Sequence, residues 1–170
     1  MRRVLPVVLL ALMVPSSSFA LLPNFSDQNT LRGIKAVCVA AEVAGDMAQA
    51  SLYGVTGSLL KSRVEGKLKE AGIRVAPLNE CKRFPDKPFL HIAVVVILSP
   101  GLETYLLATV DFTFTQDVVL ARDNTIKAFV PTWRNGLMIF PIRKPLLKEV
   151  TEVVDLLVEA FSVDYFAVNR

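Results

Sequence analysis

One histidine and two cysteines are all the chain offers toward the commonest metal and redox centres, and its 170 residues hold one tryptophan. A lone His91 excludes a multi-histidine metal site and leaves any histidine-based triad to depend on that one residue. Cys38 and Cys81 stand 43 positions apart with no His or Cys beside either, which is not a zinc or dithiol pattern. No GxSxG elbow, no glycine-rich phosphate loop and no HExxH occurs, so the common hydrolase, nucleotide and metalloprotease signatures are all missing. No metal and no cofactor is expected.

Charge excludes a further class. Two of the 19 Lys+Arg, Arg2 and Arg3, lie in the first few residues, which leaves 17 against 16 Asp+Glu in the rest of the chain. A near-neutral body carries no electrostatic footprint for nucleic acid. The mean hydropathy of +0.45 is raised by the N-terminus. Beyond residue 20 there is no apolar run of 18, so no membrane span is expected there.

What is present begins with that N-terminus. Arg2 and Arg3 precede the apolar run Val4 to Val14, and Pro15 to Ala20 closes it with small residues at Ser18 and Ala20. The run is too short to cross a bilayer and has the grammar of a cleavable secretory signal. Residues 1–20 are therefore read as a signal peptide cut near Ala20, and residues 21–170 as a single exported domain, periplasmic or extracellular. A lipid tether needs a cysteine at the cut, and the first one is Cys38. In an oxidising compartment Cys38 and Cys81 can bridge; two buried thiols are the alternative.

Periodicity supplies the elements. Gly33 to Val43 is apolar on both alternations and reads as an interior strand. Thr56 or Ser58 caps a helix to Ala71, with Leu60, Val64 and Leu68 on one stripe and Gly72 as its stop. FLHIAVVVIL reads as a central strand, and Pro100-Gly101 as a turn. TYLLATVDFTFT alternates: Leu106, Ala108, Val110, Phe112 and Phe114 face a core, while Leu107, Thr109, Asp111, Thr113 and Thr115 face the other way. Asp117 to Arg122 extends that strand past a bulge, Asp123-Asn124 turns the chain, and Arg134-Asn135-Gly136 is a second turn signal. Pro145 opens a final helix whose apolar stripe runs from Leu146 to Tyr165. The expected fold is α+β, a two-layer domain with a mostly antiparallel sheet of four to six strands and two helices packed on one face.

The last helix, with Leu157-Val158-Glu159, Phe161, Asp164-Tyr165-Phe166 and Asn169, resembles the C-terminal LVDxFxxDYLxxNP-like helix of a family of uncharacterised exported bacterial proteins. VEGKLKEAGIRV, LHIAVVVI and Thr132-Trp133 look similar in the same order, while Arg170 stands where proline is expected. The resemblance implies an exported α+β domain and assigns no activity.

Three functional readings follow from the residues. The first is a binding or structural partner of another envelope component, a protein or a polymer, using an edge strand or the helix-free sheet face, where Thr109, Asp111 and Thr113 form a polar stripe. The second is an unrecognised hydrolase or small-ligand binder built on Glu42, His91 and Asp111, since paired carboxylates can divide acid and base roles; the bland alternative is a packed sheet histidine and two surface acids. The third is a carrier of anionic lipid or polymer, with a basic surface from Arg63, Lys67, Lys82, Arg83 and Lys87. Trp133 with Phe129 suggests an aromatic platform, against the commoner fate of a core tryptophan.

Overall fold

The computed structural model describes residues 18–21, 25–98, 106–142 and 146–169. The Pro100-Gly101 turn and Pro145 lie outside them. The strands are β1 (Ser18–Leu21), β2 (Phe25–Ser26), β3 (Cys38–Gly45), β4 (Phe89–Leu98), β5 (Leu106–Leu120) and β6 (Asp123–Ile142). The helices are α1 (Met47–Leu52), α2 (Gly57–Glu70), α3 (Leu78–Cys81) and α4 (Leu146–Val168).

Local chemistry sets the helix ends. Thr56 is extended and its hydroxyl accepts from the Leu59 N–H at 3.3 Å, which starts α2. Gly72 follows at φ +87°, and the Ile73 N–H closes back onto the Leu68 carbonyl at 2.8 Å. On α2 Leu60, Val64 and Leu68 are fully buried, and on α4 every apolar position expected to face the sheet is buried. The two amphipathic stripes thus define one helical layer, with α2 over β3, α4 over β5 and β6, and the two helices side by side.

The sheet order is β1-β6-β5-β4-β3, with β2 also on β6. Among the described strands β3 and β4 pair in parallel and the other strand pairs are antiparallel, while an isolated parallel bridge joins Val37 to Val75. The domain is the expected α+β two-layer type. Leu90, Ile92, Val94 and Val96 of β4 and Val110, Phe112 and Phe114 of β5 point under the helices. Phe114, Trp133 and Phe161 close the middle of this core, with Phe161 edge-on to the indole at 5.1 Å.

Three sequence expectations are corrected. The strand at Gly33 to Val43 is not interior: it begins at Cys38 and is the edge of the sheet. Its apolar character on both sides has another cause. Val37 and Val39 join the main core, while Ala36 and Cys38 form a small second core with Ala76 and Cys81 of the α3 segment. Arg134-Asn135-Gly136 is not a turn, because β6 runs through it with Arg134 opposite Thr113, Asn135 opposite Phe112 and Gly136 opposite Asp111. The reversal between β5 and β6 falls at Ala121-Arg122, two residues before the expected Asp123-Asn124. Cys38 and Cys81 are joined in a disulfide, with Cα atoms 6.1 Å apart.

At the N-terminal edge, β1 includes residues expected to leave with the signal. Ser18 pairs with Phe140, Phe19 with Ile139, Ala20 with Met138 and Leu21 with Leu137.

Candidate functional site: the open sheet face

Alternation along β4, β5 and β6 sends every second side chain away from the helices. Register then arranges these side chains in rows across the sheet. One row reads Ala40, His91, Thr113, Arg134; the next reads Glu42, Ala93, Asp111, Gly136; a third brings Val95, Thr109 and Met138 together. The sequence-read stripe of Thr109, Asp111 and Thr113 is therefore central to the uncovered face.

Asp111 is the best-held group on it. Its carboxylate accepts from the Thr113 hydroxyl at 2.8 Å and from Arg134 Nε at 2.8 Å, with a further bond from Arg134 Nη2. Its side chain is 14% exposed, against 44% for Arg134. That hydrogen bond and the adjacent negative charge raise the Arg134 guanidinium above its ordinary value. Two-point contact from a planar guanidinium fixes both partners in orientation. Sequence reading missed Arg134 because it assigned the residue to a turn; a bulge between Pro131 and Trp133 puts Phe129 on the open face and Trp133 in the core, so no unbroken period-2 pattern leads to it.

Glu42 and His91 also meet on this face, with Glu42 Oε1 3.7 Å from His91 Nε2, a separation beyond hydrogen-bond range. The structure thus brings Glu42, His91 and Asp111 to one side of the sheet. It divides them, however, into an exposed Glu42–His91 pair and an Asp111 carboxylate already taken up by Thr113 and Arg134. A general base needs a free lone pair, and on Asp111 donors crowd the oxygens. The arrangement suits recognition by a preset array of charged and hydroxyl groups.

The face changes character toward its ends. At one end the exposed Phe129 meets Phe89 edge-on at 6.2 Å, beside the Lys87–Asp117 ion pair at 2.7 Å. At the other end Ile97 and Phe140 are exposed.

Two other candidates are relocated. Trp133 is not a platform with Phe129; it is fully buried under α4, and its indole N–H donates to Asp164 Oδ2 at 2.8 Å. The basic helix is largely neutralised. Arg63 makes two 2.7 Å bonds to Asp155, which raise its guanidinium above the ordinary value, and Lys67 lies near Glu70 and Asp155. Lys87 is committed to Asp117, while Lys82 and Arg83 lie exposed just after α3. The layer between α2 and the sheet is closely packed, with Leu60, Val64 and Leu68 fully buried in the main core. Clefts among the described residues include one of about 470 Å³ at Lys35, Phe84, Asp86 and Pro88 and one of about 450 Å³ at Leu59, Arg63 and Leu147.

Among the described residues, no helix is long and apolar enough to cross a membrane, and no three metal-ligating side chains cluster. No protein-family model matches the chain, and no curated protein matches it. Among solved structures it is similar to a dodecamer of a single-substitution variant of PelC from Paraburkholderia phytofirmans, at 16% identity over 84% of this chain and 96% of that one, with a TM-score of 0.44. At that level the likeness carries no argument about what this chain does.

Proposed function

We propose that this is an exported binding protein, freed of residues 1–20 by cleavage near Ala20, that holds another envelope component against the open face of its sheet. One observation carries the reading: the rows through Thr109, Asp111, Thr113 and Arg134 lie on the side opposite α2 and α4, and no described element covers their middle. Because Thr113 and Arg134 hold Asp111 before any partner arrives, binding there orders few additional side chains. The disulfide fits an oxidising compartment.

The test compares Thr109→Arg and Thr113→Arg with Lys69→Glu, an exposed site on α2. Each tagged protein is crosslinked in the native envelope, and the components bound by the parent are quantified. The face variants are expected to lose about tenfold or more of that binding, a difference of about 1.4 kcal/mol, with Lys69→Glu at the parental level. Equal recovery by the face variants sinks the proposal.

A further inference from the structure

β1 and the cleavage point coincide. Three of its four residues, Ser18, Phe19 and Ala20, leave if the chain is cut after Ala20. Their departure frees the outer side of β6 along Met138, Ile139 and Phe140, while β2 stays on Arg134 and Trp133. The vacated strip lies in the run Gly136 to Ile142, which holds no charged side chain. Sheet edges in natural proteins are blunted by lysine, proline, bulges or cover, because unpaired N–H and C=O groups beside apolar side chains recruit another strand. Here the cover is β1 itself, and the nearest other device is Pro141 at the end of the strip.

Resting on the export reading above, we propose that cleavage uncovers a joining edge at which two copies of this chain pair β6 to β6. The strands run antiparallel about a two-fold axis at Ile139, making one sheet of the two. A second copy is the fitting occupant because the strip is uncharged, so a two-fold brings no like charges together. Antiparallel pairing about Ile139 sets Met138 of each copy against Phe140 of the other. Phe140 is 39% exposed, and Met138, opposite Thr109, lies on the open face. Burial of those four side chains adds apolar contact to the backbone bonds. In the precursor the same groups are held by Ser18–Ala20, so the joint forms only after processing.

The experiment takes the chain exported with its own signal, reads its N-terminus by intact mass and measures its molar mass by sedimentation equilibrium in the micromolar range. A Leu21 N-terminus with twice the monomer mass is expected. A chain beginning at Ser18 and the variant Phe140→Lys are expected to run as monomers, with Met138→Lys as the second variant if Phe140→Lys does not fold. A monomeric Leu21 chain overturns the proposal, as does a dimer of the Ser18 chain or of the folded lysine variant. A chain that keeps residues 1–20 overturns the export reading with it. Monomeric behaviour at Leu21, with partner binding still sensitive to Thr113→Arg, removes the joint alone.

Discussion

Replacing Asp164 with alanine removes the acceptor of the buried indole and leaves the rest of the aromatic cluster in place. Trp133 is fully buried, donates to Asp164 Oδ2 at 2.8 Å and packs edge-on against Phe161 of the same helix. An orphaned buried donor costs about 1–3 kcal/mol, and bonds to charged acceptors lie at the upper end, so a loss of about 2 kcal/mol is expected. With a urea slope of about 2 kcal/mol per molar, the midpoint falls by about 1 M. The assay is built in, because Trp133 is the only tryptophan and its emission follows exposure on unfolding. The cycle with Trp133→Phe, followed by circular dichroism, is expected to give a coupling of about 1–2 kcal/mol. An Asp164→Ala midpoint within about 0.2 M of the parent refutes the reasoning that this bond ties α4 to β6.

Reduction of the Cys38–Cys81 bond, or Cys38→Ser with Cys81→Ser, is expected to cost about 4 kcal/mol from the loop it closes, read as the difference between denaturation curves with and without reductant. Gly45→Ala places a Cβ against the Val96 carbonyl at a backbone φ of +83°, so a loss of about 2 kcal/mol or more in thermal or urea unfolding is expected; an unchanged midpoint refutes the close approach. Burial raises the Tyr165 phenol above its ordinary value, and its O–H donates to the Ile34 carbonyl at 2.7 Å. The folded chain therefore favours the neutral phenol: this contribution is whole below the unfolded value of about 10 and is lost as pH climbs toward the higher folded one. Tyr165→Phe is expected to lose about 1 kcal/mol at neutral pH and to show a shallower alkaline decline in stability than the parent.

Much of the fold was legible because single faces carry it. The α4 stripe from Leu146 to Tyr165 and the β5 alternation each face one layer, so periodicity alone assigned them. The stretch from Ala36 to Val39, leading into β3, misled because two different cores, one under α2 and one around the disulfide, bury its two sides, which imitates an interior strand. Arg134-Asn135-Gly136 misled because turn chemistry is local, whereas the value of Gly136 opposite Asp111 depends on a pairing partner about 25 residues away. For the same reason Asp111 and Thr113 could be placed on a face from their spacing, but the guanidinium that holds them could not. The burial of Trp133 depends on Asp164, a residue in another layer.

The disulfide has a consequence for the order in which the chain assembles. β4, β5 and β6 follow one another as a meander with local pairings, whereas the parallel β3–β4 pair must close across a crossover, with Cys38 opposite Phe89 about 50 residues on. Cys81 lies only about eight residues before Phe89. Once the two sulfurs are joined, the path from Cys38 to its strand partner shortens from about 50 residues to about eight, which lowers the closure cost by about 1.6 kcal/mol on a logarithmic loop law. Both cysteines precede the meander in the chain, so the bond can form first and act as a register clamp for the parallel pairing of β3 with β4.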